Sequence, residues 1–196
     1  MSNSKKYSLV VLISGGGSNL QAIIDRIQEG RLPAEIAVVI SDKPEAYGLI
    51  RAKQAGIPTL ILPSSDYSDR ITYDEILKGV VSCYSPDLIA LSGFMRILSK
   101  EFVAHFEGRI INIHPSLLPK YPGLNTYEKV IAAGDKVHGS TVHYVTSELD
   151  AGPVILQRML PILPDDTPVT LKIRTQILEH ELYSDAIEKV LKELDA

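Results

Sequence analysis

The chain has a single cysteine, Cys83, in 196 residues. An internal disulfide and a thiolate metal cluster are thereby excluded, and Cys83 is expected as filler near a helix end. No apolar run approaches the roughly 20 residues of a membrane span. Met1 to Tyr7 is too polar for a signal peptide, so a cytoplasmic protein is expected. Excess basic charge is absent too: 20 Lys and Arg stand against 24 Asp and Glu, a net charge of −4. That sign argues against holding a nucleic-acid backbone, although local backbone donors can still bind small anions. Neither H-x-x-x-H spacing nor clustered carboxylates occur, so no metal is expected. G-x-S-x-G, the elbow of a serine nucleophile, is missing. No repeat, linker or low-complexity segment divides the chain, which predicts one domain over residues 1–196.

What is present is an alternation of short apolar runs and helical periodicities. Tyr7–Ile13, Ile36–Ile40, Thr59–Leu62, Leu88–Leu91 and Arg109–Ile113 read as strands. Between them, Leu20, Ile23, Ile24 and Ile27 have helical spacing, as do Ile71, Ile76, Leu77, Val80 and Val81. Pro44 to Gly56 and Ser99 to Phe106 read as two further helices, and Thr126 to Ala133 as another, ended by Gly134. Ser140–Thr146 and Val154–Leu160 follow as strands with no helix between them. Thr167-Pro168 then opens a last helix that runs to the chain end, with Ile173, Ile177, Ile187, Val190, Leu191 and Leu194 on one side. The expected fold is α/β: a Rossmann-like, mostly parallel sheet with helices on both faces and an antiparallel C-terminal strand pair.

Three loops carry the polar chemistry. Gly15-Gly16-Gly17-Ser18-Asn19 joins a strand to a helix, where free backbone N–H groups can hold phosphate. It lacks G-K-[ST], and Leu20 stands where the dinucleotide pattern needs its third glycine. An ordinary tight turn is the plain alternative. Ser18 and Gln21 have capping-box spacing. Asn112 and His114 are two apart at a strand's C-terminal end, so both point to one face. A buried polar pair would explain them, but the proline-stiffened loop that follows favours a site. Ser92-Gly93-Phe94-Met95-Arg96-Ile97-Leu98 mixes a glycine, apolar side chains and a cation, which suits a flat heteroaromatic ligand. Read without that ligand, Met95 and Leu98 finish the core and Arg96 is solvated.

The stretch from Asn112 to Gly123 resembles the signature N-x-H-P-S-L-L-P-x-x-x-G of the 10-formyltetrahydrofolate-dependent formyltransferases. The likeness is strongest to members that formylate phosphoribosylglycinamide (GAR) in purine synthesis, and it runs from about Ser8 to Tyr183. S-G-x-G-S-N and E-L-D-x-G-P-V-I match the family as well. The resemblance implies that Gly17, Ser18 and Asn19 bind the ribose phosphate of GAR and that Gln176 and Glu179 line the GAR site. It implies folate contacts from Arg70, Met95, Arg96, Ile97, Leu98 and Asn112. Asn112, His114 and Asp150 are the implied catalytic residues, with Asp150 paired to His114 and His143 in support. His105 and His138 are expected on the surface, and His180 as a packing residue. The implied partners are two small molecules, GAR and the co-substrate 10-formyltetrahydrofolate, with no nucleic acid and no membrane. Hydrolysis of the formyl donor, or nucleotide binding without catalysis, are the alternatives.

Overall fold

The computed structural model describes residues 6–194. The polar start at Met1 and the expected run of the last helix to Ala196 lie outside the described residues. Seven strands form one sheet: β1 (Tyr7–Ile13), β2 (Ala34–Ser41), β3 (Thr59–Ile61), β4 (Leu88–Leu91), β5 (Ile110–His114), β6 (Val137–Tyr144) and β7 (Val154–Pro161). Six helices connect or follow them: α1 (Ser18–Gln28), α2 (Tyr47–Gln54), α3 (Arg70–Ser82), α4 (Lys100–His105), α5 (Thr126–Ala132) and α6 (Pro168–Glu193). The strand order is β3-β2-β1-β4-β5-β6-β7. Strand order therefore reverses between β1 and β4, the place where open α/β sheets bind ligands.

β1 to β5 are parallel, and β6–β7 is antiparallel as the missing helix predicted. β5–β6 is antiparallel as well, although α5 lies between them. Seven helical residues span only about 10 Å. Such a helix is too short to carry the chain back along the strand, so β6 starts from the end where β5 stopped.

Alternate side chains of the strands feed two cores. Leu9, Val11, Ile13 and Ile111 pack with α1, α2 and α6, while Val10, Leu12, Ile89 and Ile110 pack with α3 and α4. Several expectations about single residues need correction. Ser18 does not cap α1: Gly17 occupies the cap position with φ 68°, and Ser18 is already helical. Thr167 does cap α6, through a reciprocal pair with Thr170. Cys83 sits at the end of α3 but is exposed, not filler. Ile187, Val190 and Leu191 are buried as expected, whereas Ile173, Ile177 and Leu194 are exposed. The long α6 is packed mainly along its second half, and the Ile173–Ile177 stripe turns away from the core.

Candidate active site

At the end of β5, the N-x-H pair meets β6 and two loops. Asn112 lies directly opposite His143 across the antiparallel ladder. The Asn112 Nδ2 and His143 Nε2 are 3.3 Å apart, and His143 Nδ1 is 2.9 Å from the Tyr144 carbonyl. A carbonyl only accepts, which places the His143 proton on Nδ1 and leaves Nε2 to accept from the Asn112 amide. Burial holds the His143 pKa below its ordinary value, against the opposing pull of the Tyr144 carbonyl and the Asp150 carboxylate. Neutral His143 thus takes one N–H of Asn112 and leaves the second to donate elsewhere.

His114 is buried, 6% exposed. Its Nε2 donates to the Tyr121 carbonyl at 2.9 Å, and its Nδ1 faces Asp150 Oδ2 at 3.4 Å. Both nitrogens face oxygen atoms, one a backbone carbonyl and one a carboxylate. The other Asp150 oxygen lies 3.7 Å from His143 Nε2. Asp150 also accepts the Gly123 N–H at 2.8 Å, which ties the loop after β5 to the turn between β6 and β7. Tyr121 (φ 55°) and Asp150 (φ 51°) both sit in the left-handed region, uncommon outside glycine. Local backbone cost is accepted where these two loops meet.

Glu179 supplies a second polar centre, from α6 on the opposite face of the sheet. It is 6% exposed and accepts from Asn19 Nδ2 (3.1 Å) and Ser140 Oγ (2.8 Å). Burial pushes its carboxyl above the usual carboxylate range, only partly offset by these two donors and nearby His114. Both hydrogen-bond donors are neutral side chains. Asn19 therefore does more than the glycine-loop pattern suggested: its side chain reaches Glu179, while its backbone stays at the start of α1. Gln176 is half-buried one turn earlier on α6.

The glycine loop is fitted to α2. A Cβ on Gly17 would lie 2.7 Å from Gly48 Cα, and one on Gly48 would lie 2.6 Å from Ile13 Cδ1. Gly48 N–H donates to Gly15 O (3.0 Å), and Arg51 Nε to Gly16 O (2.9 Å). Gly17 is thus required by packing and by its positive φ before any phosphate is considered. An open groove of about 360 Å³ beside this loop is lined by Ser18, Arg51, Arg26 and His180; Asn112, His114 and Asp150 do not line it.

The expected folate segment follows β4, whose Leu91 pairs with Asn112. Met95 is 72% and Ile97 56% exposed, but Phe94 and Leu98 are buried in the α3–α4 core. Leu98 can therefore reach a ligand only through its backbone or the edge of its side chain. The Arg96 guanidinium stacks on the Tyr73 ring, 4.4 Å from its centroid, and is not simply solvated. Arg70 is exposed at the start of α3.

Sequence reasoning missed several residues. His138, expected on the surface, is 1% exposed and packs on Tyr127. Ser140, Gly48, Ser14 and Asp42 were also not singled out. One signal was present for His138 and Ser140. They alternate with Val142 along β6, which places all three on one inner face, but the strand is expected to begin only at Ser140 and so leaves His138 out.

The formyl transferase family model matches residues 7–187. Phosphoribosylglycinamide formyltransferase of Escherichia coli (strain K12) is 50% identical over 176 residues, covering 90% of this chain and 83% of the relative. The solved phosphoribosylglycinamide formyltransferase of Coxiella burnetii superimposes with a TM-score of 0.90 at 54% identity, over 94% of this chain and 86% of that one. Glycinamide ribonucleotide transformylase 1 of Symbiobacterium toebii gives 0.91 at 45% identity, over 93% and 86%. In sequence over nearly its whole length, and in fold, this chain belongs to the formyl transferase family.

Proposed function

We propose that the chain is one catalytic domain that moves the formyl group of 10-formyltetrahydrofolate to the amine of GAR in purine biosynthesis. The products are N-formyl-GAR and tetrahydrofolate. The observation that carries this reading is the pairing of two polar centres beyond the C-terminal end of β5. Asn112, His114 and Asp150 stand on one side, and Glu179, linked to the glycine loop through Asn19, on the other.

The amine nitrogen attacks the formyl carbon and the carbonyl oxygen becomes an oxyanion. The carbon–nitrogen bond to folate then breaks, its electron pair returns to the folate nitrogen, and one proton moves from the amine to that nitrogen. The free N–H of Asn112 is a fixed donor for the oxyanion and needs no change of protonation. His114 carries the proton, and the Asp150 carboxylate stabilises positive charge on its ring. Glu179 seats the glycinamide amine by accepting one of its N–H hydrogen bonds, which holds the neutral nitrogen for attack and leaves the buried carboxylate with a further donor. Backbone N–H groups of Gly17 to Asn19 hold the phosphate at the start of α1. Met95 to Leu98 line the donor side, with Arg96 and Arg70 near the folate and Gln176 near GAR. Holding both substrates together could supply ~7–11 kcal/mol of barrier reduction.

The test is a turnover assay with formyl donor, run with and without GAR. Formyl transfer that requires GAR is expected. Donor hydrolysis at the same rate without GAR would establish a hydrolase instead, and neither reaction would leave a binding module.

A further inference from the structure

Ser14 is the first residue after β1, at the place where strand order reverses. Its N–H donates to Gly93 O at 3.2 Å. The Ser14 hydroxyl donates to Asp42 Oδ1 at 2.6 Å and accepts the Met95 N–H at 2.9 Å. A serine hydroxyl has one proton, and a carboxylate can only accept. Asp42 therefore takes that proton and leaves an oxygen lone pair of Ser14 directed at Met95. Asp42 is itself fixed: it follows β2 and is 3% exposed.

The same segment is pinned at its other end by a different buried carboxylate. Asp74, 1% exposed on α3, accepts the Ser99 N–H at 2.6 Å. Between these two staples, Met95 and Ile97 project outward. Ser14, Asp42, Asp74 and Ser99 are not among the residues assigned to either substrate. An ordinary surface turn would not need a buried carboxylate to orient a serine that then holds one backbone amide.

We propose that Ser14 and Asp42 are positioning residues for the formyl donor: Asp42 orients the Ser14 hydroxyl, and Ser14 fixes the backbone of Met95 so that Met95 to Leu98 present one surface to the donor. The inference rests on the reading that this segment faces the donor. It makes the donor side depend on a residue that begins the acceptor's glycine loop.

Steady-state kinetics with each substrate varied in turn, alongside thermal melting, tests it. Ser14→Ala should raise the donor KM about tenfold, the effect of losing one hydrogen bond of this type. The GAR KM and kcat should stay within about twofold. Ser14→Thr keeps a hydroxyl and should restore the donor KM. Asp42→Ala should raise the same constant, and the double variant should be no worse than Ser14→Ala, because both act through one chain of contacts. If Ser14→Ala does not fold, Asp42→Asn reads the same split, since an amide NH₂ can donate where the carboxylate only accepts. An unchanged donor KM, an equal rise in both KM values, or additive effects would overturn the inference while leaving wild-type formyl transfer intact. Absence of transfer in the wild type would remove the functional reading and this inference with it.

Discussion

On the proposed acceptor side the polar groups are buried and already bonded to one another. Glu179 is held by Asn19 and Ser140, and Gly17 is fitted against Gly48. On the proposed donor side the chain offers exposed Met95 and Ile97, held by two backbone staples. Asn112, His114 and Asp150 stand at the seam. The difference matches the two ligands. A small, charged acceptor needs fixed charges at fixed distances, and each misplaced polar group there is costly. A flat, largely apolar ring is recognised by surface and backbone edges, so no single side chain on that side need dominate.

The seam should be the most sensitive place. Asp150→Asn keeps the size and the left-handed backbone that asparagine tolerates. Turnover should fall about 10²–10⁴-fold, the range for disabled acid–base chemistry. The GAR KM should change little; near-normal turnover would make Asp150 merely a loop tie. Next in size, Glu179→Gln should raise the GAR KM roughly 10–100-fold, as for a lost contact to a charged group. The donor KM should hold, and a parallel rise in both constants would break the division into two sides.

How much of this was legible follows the same line. Asn112, His114 and the glycine loop could be found because strand ends, prolines and glycines leave strong local marks. The pairing of Asp150 with His114 came only through family likeness, since the two are distant in sequence and meet through a turn and a loop. Glu179 shares the first half of α6 with Ile173 and Ile177, yet it is buried while both isoleucines, expected on the packed side, are exposed. Helical spacing gives the element but not which stripe meets the sheet, because the packing of α6 on β6, β7 and α1 decides that. Gly48 left no mark at all, since its role depends on α2 packing against a loop over 30 residues earlier. The antiparallel turn at β6 was likewise hidden behind a helix whose shortness was the only clue.

Two smaller effects sharpen the acceptor side. Gly48→Ala places a methyl against Ile13, and overpacking of this kind costs about 1–3 kcal/mol. Melting should therefore fall by several degrees, at roughly 2–4 °C per kcal/mol. The GAR KM should rise with it, whereas a variant as stable as the parent would mean that the Ile13 side chain turns aside at little cost. His138 is the smallest case. Burial, reinforced by nearby His114, lowers its pKa from 6.5 to about 4. The folded protein keeps this ring neutral where the unfolded chain would protonate it. Its contribution is complete above about pH 6.5 and is lost as pH falls toward about 4, by on the order of 3 kcal/mol. His138→Gln should flatten this part of the acid stability profile, measured by denaturant unfolding at several pH values. An identical profile in both proteins would show that the ring titrates normally.

The division itself is tested most directly by amide NMR of the ¹⁵N-labelled protein, titrated separately with GAR and with tetrahydrofolate. GAR should shift Gly17, Ser18, Asn19 and Ser140 and leave Met95 to Leu98 in place. Tetrahydrofolate should do the reverse, and only Asn112 and its neighbours at the seam should respond to both. Shifts of Met95 to Leu98 by GAR alone, or of the glycine loop by tetrahydrofolate alone, would contradict the account.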